Sequence, residues 1–169
     1  MPVSGAIGGC YPPASQCPEN PVNIELSRRI HRDISTVRAA VADPGRLPAW
    51  QPTLKEVRTL EGRRGEQGSV CELVYDENGR EVRLEETVTD ARDSELLEFT
   101  YRGAQAVSRI RHWFASPVPG ETVWTVDCRF RFEGLWPRLL APFVKGPLRR
   151  RIDGDMARLQ TLLEKEDPS

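Results

Sequence analysis

The chain lacks an excess of either charge: 24 Lys and Arg stand against 25 Asp and Glu, for a net charge of −1. A dedicated nucleic-acid binder usually carries a basic excess or stripe, so no nucleic-acid partner is expected. No apolar run approaches the roughly 20 residues that span a bilayer, so no integral membrane segment is expected. There is no Lys or Arg before Arg28 and no apolar core near the N-terminus, which argues against a secretory signal. Histidine is scarce, and the two present, His31 and His112, lie far apart. The four cysteines, Cys10, Cys17, Cys71 and Cys128, do not form close pairs with them, so no metal site is expected. They read as free thiols of a cytoplasmic protein, with a Cys10–Cys17 disulfide open to it in an oxidising environment. No nucleophile motif, phosphate loop or dinucleotide fingerprint is present, and no cofactor is expected. Gly65-Glu66-Gln67-Gly68 does not open a helix, so it is a turn and not a phosphate cradle.

What is there suits one globular domain: 169 residues, 38% hydrophobic and 29% charged. Residues 1–21 are rich in Gly, Pro, Ser and Ala without periodicity and read as a flexible tail before a domain spanning 22–166. Val22 to Leu26 alternates as a strand does. Asp33 and Ser35 can cap a short helix carrying Ile34, Val37 and Val41, which Asp43-Pro44-Gly45 stops. Leu47 to Pro52 reads as a second helical turn. From Leu54 to Phe132 turn signals separate a run of strands with no helix between them, which predicts an antiparallel meander. Leu148, Ile152, Met156, Leu159 and Leu163 then recur at helical spacing. Gly146-Pro147 is expected to divide this region into a short lid-like piece, with Leu139, Leu140 and Phe143, and a long helix.

The turns predict the register. With Asn78-Gly79 at a hairpin tip, Tyr75 pairs with Val82, Leu73 with Leu84, Cys71 with Glu86 and Ser69 with Val88. The next loops place Phe99 beside Glu86, Leu97 beside Val88, Ile110 beside Phe99 and His112 beside Leu97. The last places Cys128 beside Ile110, Val126 beside His112 and Trp124 beside Phe114. One face thereby collects Leu73, Tyr75, Leu84, Val88, Phe99, Tyr101, Ile110, Phe114, Trp124 and Cys128. The other collects a mesh of Arg, Glu and Asp that cross-strand pairing explains. A one-sided apolar sheet needs a cover, and the C-terminal helix is the one long amphipathic element able to supply it.

This order of elements, together with Asp43-Pro44-Gly45-Arg46-Leu47-Pro48-Ala49-Trp50, the hairpin segment Pro117 to Thr122 and the helix ending Leu159 to Glu164, resembles the START-like or SRPBCC superfamily. That superfamily includes polyketide cyclase/dehydrase proteins, plant pathogenesis-related allergens and lipid-transfer START domains. The resemblance implies a helix-grip α+β fold: a curved antiparallel β-sheet around a long C-terminal α-helix, with two short helices after the first strand. It also implies an internal cavity.

Three functions remain open. One is binding of a mostly apolar small molecule, such as a lipid, quinone or aromatic metabolite. The second is a polyketide aromatase/cyclase-like enzyme, in which Glu86, His112 and Tyr101 supply acid/base groups for aldol closure and dehydration. The third is an interaction protein with a vestigial cavity. Residues expected at the ligand are Trp50, Cys71, Leu73, Tyr75, Leu84, Glu86, Phe99, Tyr101, Ile110, His112, Trp124, Cys128, Leu140 and Phe143. Glu86 is either a cavity carboxylate, a residue turned outward by a bulge, or a partner of Arg28, because an inward carboxylate is costly alone. His112 is either a ligand contact or a core histidine bonded to backbone. Access to the cavity is expected between Trp50 and the Leu139–Phe143 segment. Sequence does not set the oligomeric state.

Overall fold

The structure, a computed structural model, describes residues 22–133 and 135–166, without the side chains of 135–142. The expectations for the tail at 1–21, for Cys10 and Cys17, and for the side chains of Leu139 and Leu140 lie outside the described residues.

Seven strands form one antiparallel sheet: β1 (Val22–Ile30), β2 (Leu54–Glu61), β3 (Val70–Glu77), β4 (Arg80–Arg92), β5 (Leu96–Arg102), β6 (Ala106–Ala115) and β7 (Thr122–Phe132). Their spatial order is β1-β7-β6-β5-β4-β3-β2, a meander to which β1 returns beside the last strand. Between β1 and β2 lie α1 (Ile34–Ala42) and α2 (Leu47–Trp50), and α3 (Leu135–Lys165) closes the chain. This is the helix-grip arrangement: a curved sheet around a C-terminal helix.

The Asn78-Gly79 tip has positive φ at both residues, 57° and 83°, as a two-residue turn that matches the strand twist demands. It fixes Tyr75 opposite Val82, Leu73 opposite Leu84 and Cys71 opposite Glu86, as the sequence predicts. The predicted partners across β5, β6 and β7 also hold, including Phe99–Ile110, Leu97–His112 and Val126–His112.

The β4–β5 pairing differs from expectation. Glu86 faces Tyr101, and Val88 faces Phe99, because a bulge between Val88 and Asp90 and a tighter turn shift β5 by two residues. An even shift leaves each side chain on its face, so the apolar surface survives the slip.

A second difference concerns α3, which runs unbroken for 31 residues through Gly146 and Pro147. Proline within a helix removes one N–H donor and crowds the preceding turn, but the remaining ladder can carry the helix across it. A separate lid piece does not form. A third difference is at α1: Asp33 takes the N-cap position but makes no side-chain cap bond. Its carboxylate instead accepts the Gly120 N–H at 3.1 Å, joining the start of α1 to the β6–β7 turn.

Met156, Leu159 and Leu163 of α3 are buried against the sheet, with Val37, Ala40 and Val41 of α1 and Phe99, Trp124, Val126 and Cys128 of the strands. Polar ties set the pose of α3. Arg28 on β1 donates to Asp153 at 2.6 Å and to Gln160 at 3.2 Å, and Arg158 donates to the Trp50 carbonyl at 3.1 Å.

Candidate functional site

A cavity of about 270 Å³ lies between the sheet and α3. Strands β3 to β7 contribute Tyr75, Val82, Leu84, Tyr101, Ser108, Ile110, His112, Trp124, Val126, Cys128 and Phe130. Helix α3 contributes Leu148, Arg151, Ile152, Asp155 and Met156, and Val41, Trp50, Gln51, Arg64 and Glu77 complete the wall.

Glu86 is 1% exposed and faces inward, but it does not line this cavity. It receives a bidentate ion pair from Arg64, with Nε at 2.6 Å from Oε1 and Nη2 at 2.8 Å from Oε2. Arg64 also donates through Nη1 to the carbonyls of Val41 and Ala42, at 2.6 and 2.9 Å, at the end of α1. Its guanidinium lies over the Phe99 ring, 4.8 Å from the centroid. Burial alone would lower the pKa of Arg64, but the Glu86 carboxylate overcomes this and raises it. The expected alternatives for Glu86 are thereby corrected: Arg28 reaches Asp153 and Gln160 instead, and no bulge turns Glu86 out.

Arg64 is the site residue that sequence reading missed. It sits in the β2–β3 connection, just before the Gly65–Gly68 turn. The available signal was Glu86 itself, since an inward carboxylate requires a cationic or protonated partner.

Tyr101, opposite Glu86 in the ladder, has its hydroxyl pushed well above its ordinary range by burial and then by the Glu86 charge. Tyr75 is raised for the same two reasons and donates its hydroxyl to Gln51 Oε1 at 2.9 Å. Both are neutral donors at physiological pH.

His112 is buried and stacks on Trp124, with centroids 5.7 Å apart and planes 17° apart. The Trp124 Nε1–H donates to His112 Nδ1 at 3.1 Å. An indole nitrogen only donates, so Nδ1 must be unprotonated and the neutral ring carries its proton on Nε2. Burial, and then the Arg64 charge, push the His112 pKa down to about 3. Phe99 meets the same ring edge-on at 5.4 Å.

Of the other residues expected at the ligand, Trp50, Leu84, Ile110 and Cys128 line the cavity. Cys71, Leu73 and Phe99 are buried on the same face but packed outside its wall. Phe143 is not in the wall and is 77% exposed. The Cys128 thiol is pushed up to about 12 by burial and then by Asp127, which leaves it unreactive. At the helix side, Arg151 donates to Glu77 and, at 2.7 Å, to Thr53 Oγ1, and lies 5.3 Å from the Tyr75 ring centroid. Asp155 is raised by burial, against the pull of Arg158, which donates to it. No group of three or more His, Cys, Asp or Glu could hold a metal ion among the described residues.

The polyketide cyclase/dehydrase and lipid transport family model matches residues 21–164. The chain belongs to this family. No curated protein matches it by sequence. Solved structures share the fold at low identity. A START superfamily protein from Mycobacterium smegmatis is 17% identical with a TM-score of 0.68, covering 85% of this chain and 97% of its own. The Zhui aromatase/cyclase from Streptomyces sp. R1128 is 13% identical with a TM-score of 0.75, covering 89% and 98%. TTHA0849 from Thermus thermophilus is 16% identical with a TM-score of 0.67, covering 85% and 99%.

Proposed function

We propose that this family member binds a compact, mostly apolar small molecule in the cavity under α3. The observation that carries the reading is the cavity itself, a mainly apolar wall of sheet and helix whose charged members are already paired, Arg64 with Glu86, Arg151 with Glu77 and Asp155 with Arg158. At about 270 Å³ it sits just under the roughly 300–1,000 Å³ of drug-sized sites. That size suits a fused-ring or single-chain molecule and not a two-chain lipid. Neutral His112 presents Nε2–H as a donor, and Ser108 adds a hydroxyl, so the matching ligand end is an uncharged oxygen acceptor. Apolar area supplies affinity, and these groups set orientation.

The same cavity gives catalysis its one specific support: His112, Tyr101, Arg64 and Asp155 all line it. Aldol closure would need a base to take the proton next to a carbonyl while the new carbon–carbon bond forms, and then loss of water. Glu86 is engaged by Arg64, and His112 has Nδ1 occupied and a pKa near 3, so neither is a ready base. Binding is therefore the reading the geometry favours.

Native mass spectrometry of the purified protein tests it. A small apolar species should be retained by the wild type and lost from Ile110→Trp, which fills the cavity. Equal adducts on both proteins, or none on either after exposure to quinones, single-chain lipids and fused-ring aromatics, would sink the reading.

A further inference from the structure

The N-terminal part of α3 has a charge pattern that the cavity does not use. From Gly134 to Ile152 the sequence contains no Asp or Glu but five basic residues, Arg138, Lys145, Arg149, Arg150 and Arg151. In a chain of net charge −1, this is a local concentration of one sign. Arg151 is committed to Glu77, and the next acid along the helix, Asp153, is bound by Arg28. Lys145 and Arg150 make no ion pair among the described residues, and Arg149 reaches only the Glu25 carbonyl.

The burial pattern adds a second feature. From Met156 onward buried residues recur at helical spacing, at Met156, Leu159 and Leu163, and from Leu148 to Asp155 the helix is half-buried on one side. At Phe143, Lys145, Gly146 and Pro147 it is exposed, and only Val144 between them is half-buried. Phe143, 77% exposed, stands among the basic residues. One turn further on, Leu148, Arg151 and Ile152 are in the cavity wall. The exposed segment and the cavity wall are thus continuous along one helix.

We infer that this segment docks the protein on an anionic lipid surface. Lys145, Arg149 and Arg150 meet the negative headgroups, and Phe143 enters the interface between headgroups and chains. Charge complementarity favours this partner over an apolar protein groove: an exposed aromatic ring among unpaired Lys and Arg is the composition of an interfacial helix. Attachment is peripheral, since no helix among the described residues is long and apolar enough to cross a membrane. The docked pose sets the cavity wall against the bilayer, so a ligand of the kind proposed above can pass between lipid and cavity. That last step rests on the binding reading, but the docking itself does not.

Vesicle flotation of the full chain tests the docking without any ligand. Vesicles of phosphatidylcholine with about a third phosphatidylserine should float the protein at low salt, and pure phosphatidylcholine should not. Binding should fall steeply as salt rises, because the attraction acts within a Debye length. Near an anionic surface each Lys or Arg contributes about fivefold, from roughly 1 kcal/mol. Reversing Lys145, Arg149 and Arg150 to Glu should therefore reduce partitioning by at least about a hundredfold. Phe143→Ser should weaken it several-fold while keeping the lipid selectivity. All four side chains are exposed, and an unchanged thermal melt would show that the variants fold. Equal flotation on both vesicle types, no flotation on either, or charge-reversed protein that floats like wild type would overturn the proposal. Ligand retention in native mass spectra, measured on the same variants, should be unchanged, so failure to dock and failure to bind ligand are separable.

Discussion

Arg64 meets Glu86 in two near-parallel hydrogen bonds of 2.6 and 2.8 Å, with side chains only 3% and 1% exposed. The same guanidinium holds the last carbonyls of α1. One side chain from the β2–β3 connection therefore ties the inner face of the sheet to the helix beside the cavity. A buried pair of this kind adds little over an apolar replacement, because desolvation offsets its attraction, but breaking it leaves a charge stranded.

Glu86→Leu should accordingly cost about 3–5 kcal/mol, as should Arg64→Met. The double variant should recover most of that loss, although the α1 carbonyls stay unmet. Urea unfolding of the three proteins measures this. Single variants within about 0.5 kcal/mol of wild type would mean that the pair is open to water.

Leu159→Ala on the inner face of α3 should destabilise by about 2–5 kcal/mol, because the side chain is 1% exposed and leaves a void in packed surroundings. Phe143→Ala, on the same helix but exposed, should shift stability by no more than about 0.5 kcal/mol. Thermal melts of the pair read the contrast. Similar losses at the two positions would contradict the exposure of Phe143.

Trp50 packs edge-on against Trp124, with centroids 6.1 Å apart and planes at 88°, and both line the cavity. Trp50 Nε1 is buried without a partner among the described residues, and the indole forms part of the cavity wall. Trp50→Ala should enlarge the cavity and weaken retention of a small ligand about tenfold or more, the loss of one well-packed contact surface. Trp113→Ala, on the outer face and 40% exposed, should leave retention unchanged. Titration by intrinsic fluorescence or calorimetry distinguishes the two. Equal effects would place the ligand elsewhere.

The contrast between Glu86 and Arg64 shows how much of the site was legible. Alternation and the Asn78-Gly79 turn place Glu86 inward and opposite Cys71, because side-chain parity follows directly from the turn. Nothing periodic marks Arg64: it reaches the core from a connection with no regular backbone, so its direction depends on tertiary packing. The β4–β5 slip has a similar cause. A bulge after Val88 and a tight turn between Arg92 and Leu96 leave no mark on the hydrophobic pattern, yet together they exchange Phe99 for Tyr101 beside Glu86. The continuity of α3 was hidden by Gly146 and Pro147, whose local preference is to break helices, while packing of Leu148 and Ile152 against the core holds the helix onward.

Acid should weaken the fold through His112. Its pKa is lowered from 6.5 to about 3 by burial and then by the Arg64 charge. Between those values the unfolded chain takes up a proton that the folded protein refuses. The His112 contribution is therefore intact above about pH 6.5 and is lost progressively as pH falls toward 3. The slope is at most about 1.4 kcal/mol per pH unit, so the loss reaches about 2 kcal/mol by pH 5. His112→Gln removes the titration while leaving an amide oxygen to accept the Trp124 N–H. Urea midpoints for wild type and His112→Gln, taken from pH 7.5 to 4.5, should differ by a constant above pH 7 and converge or cross as acid is added. Parallel curves across the whole range would show that His112 charges freely in the folded protein. The Trp124 donor would then be aimed at something other than a neutral ring, and the Nε2–H assigned to the ligand would lose its basis.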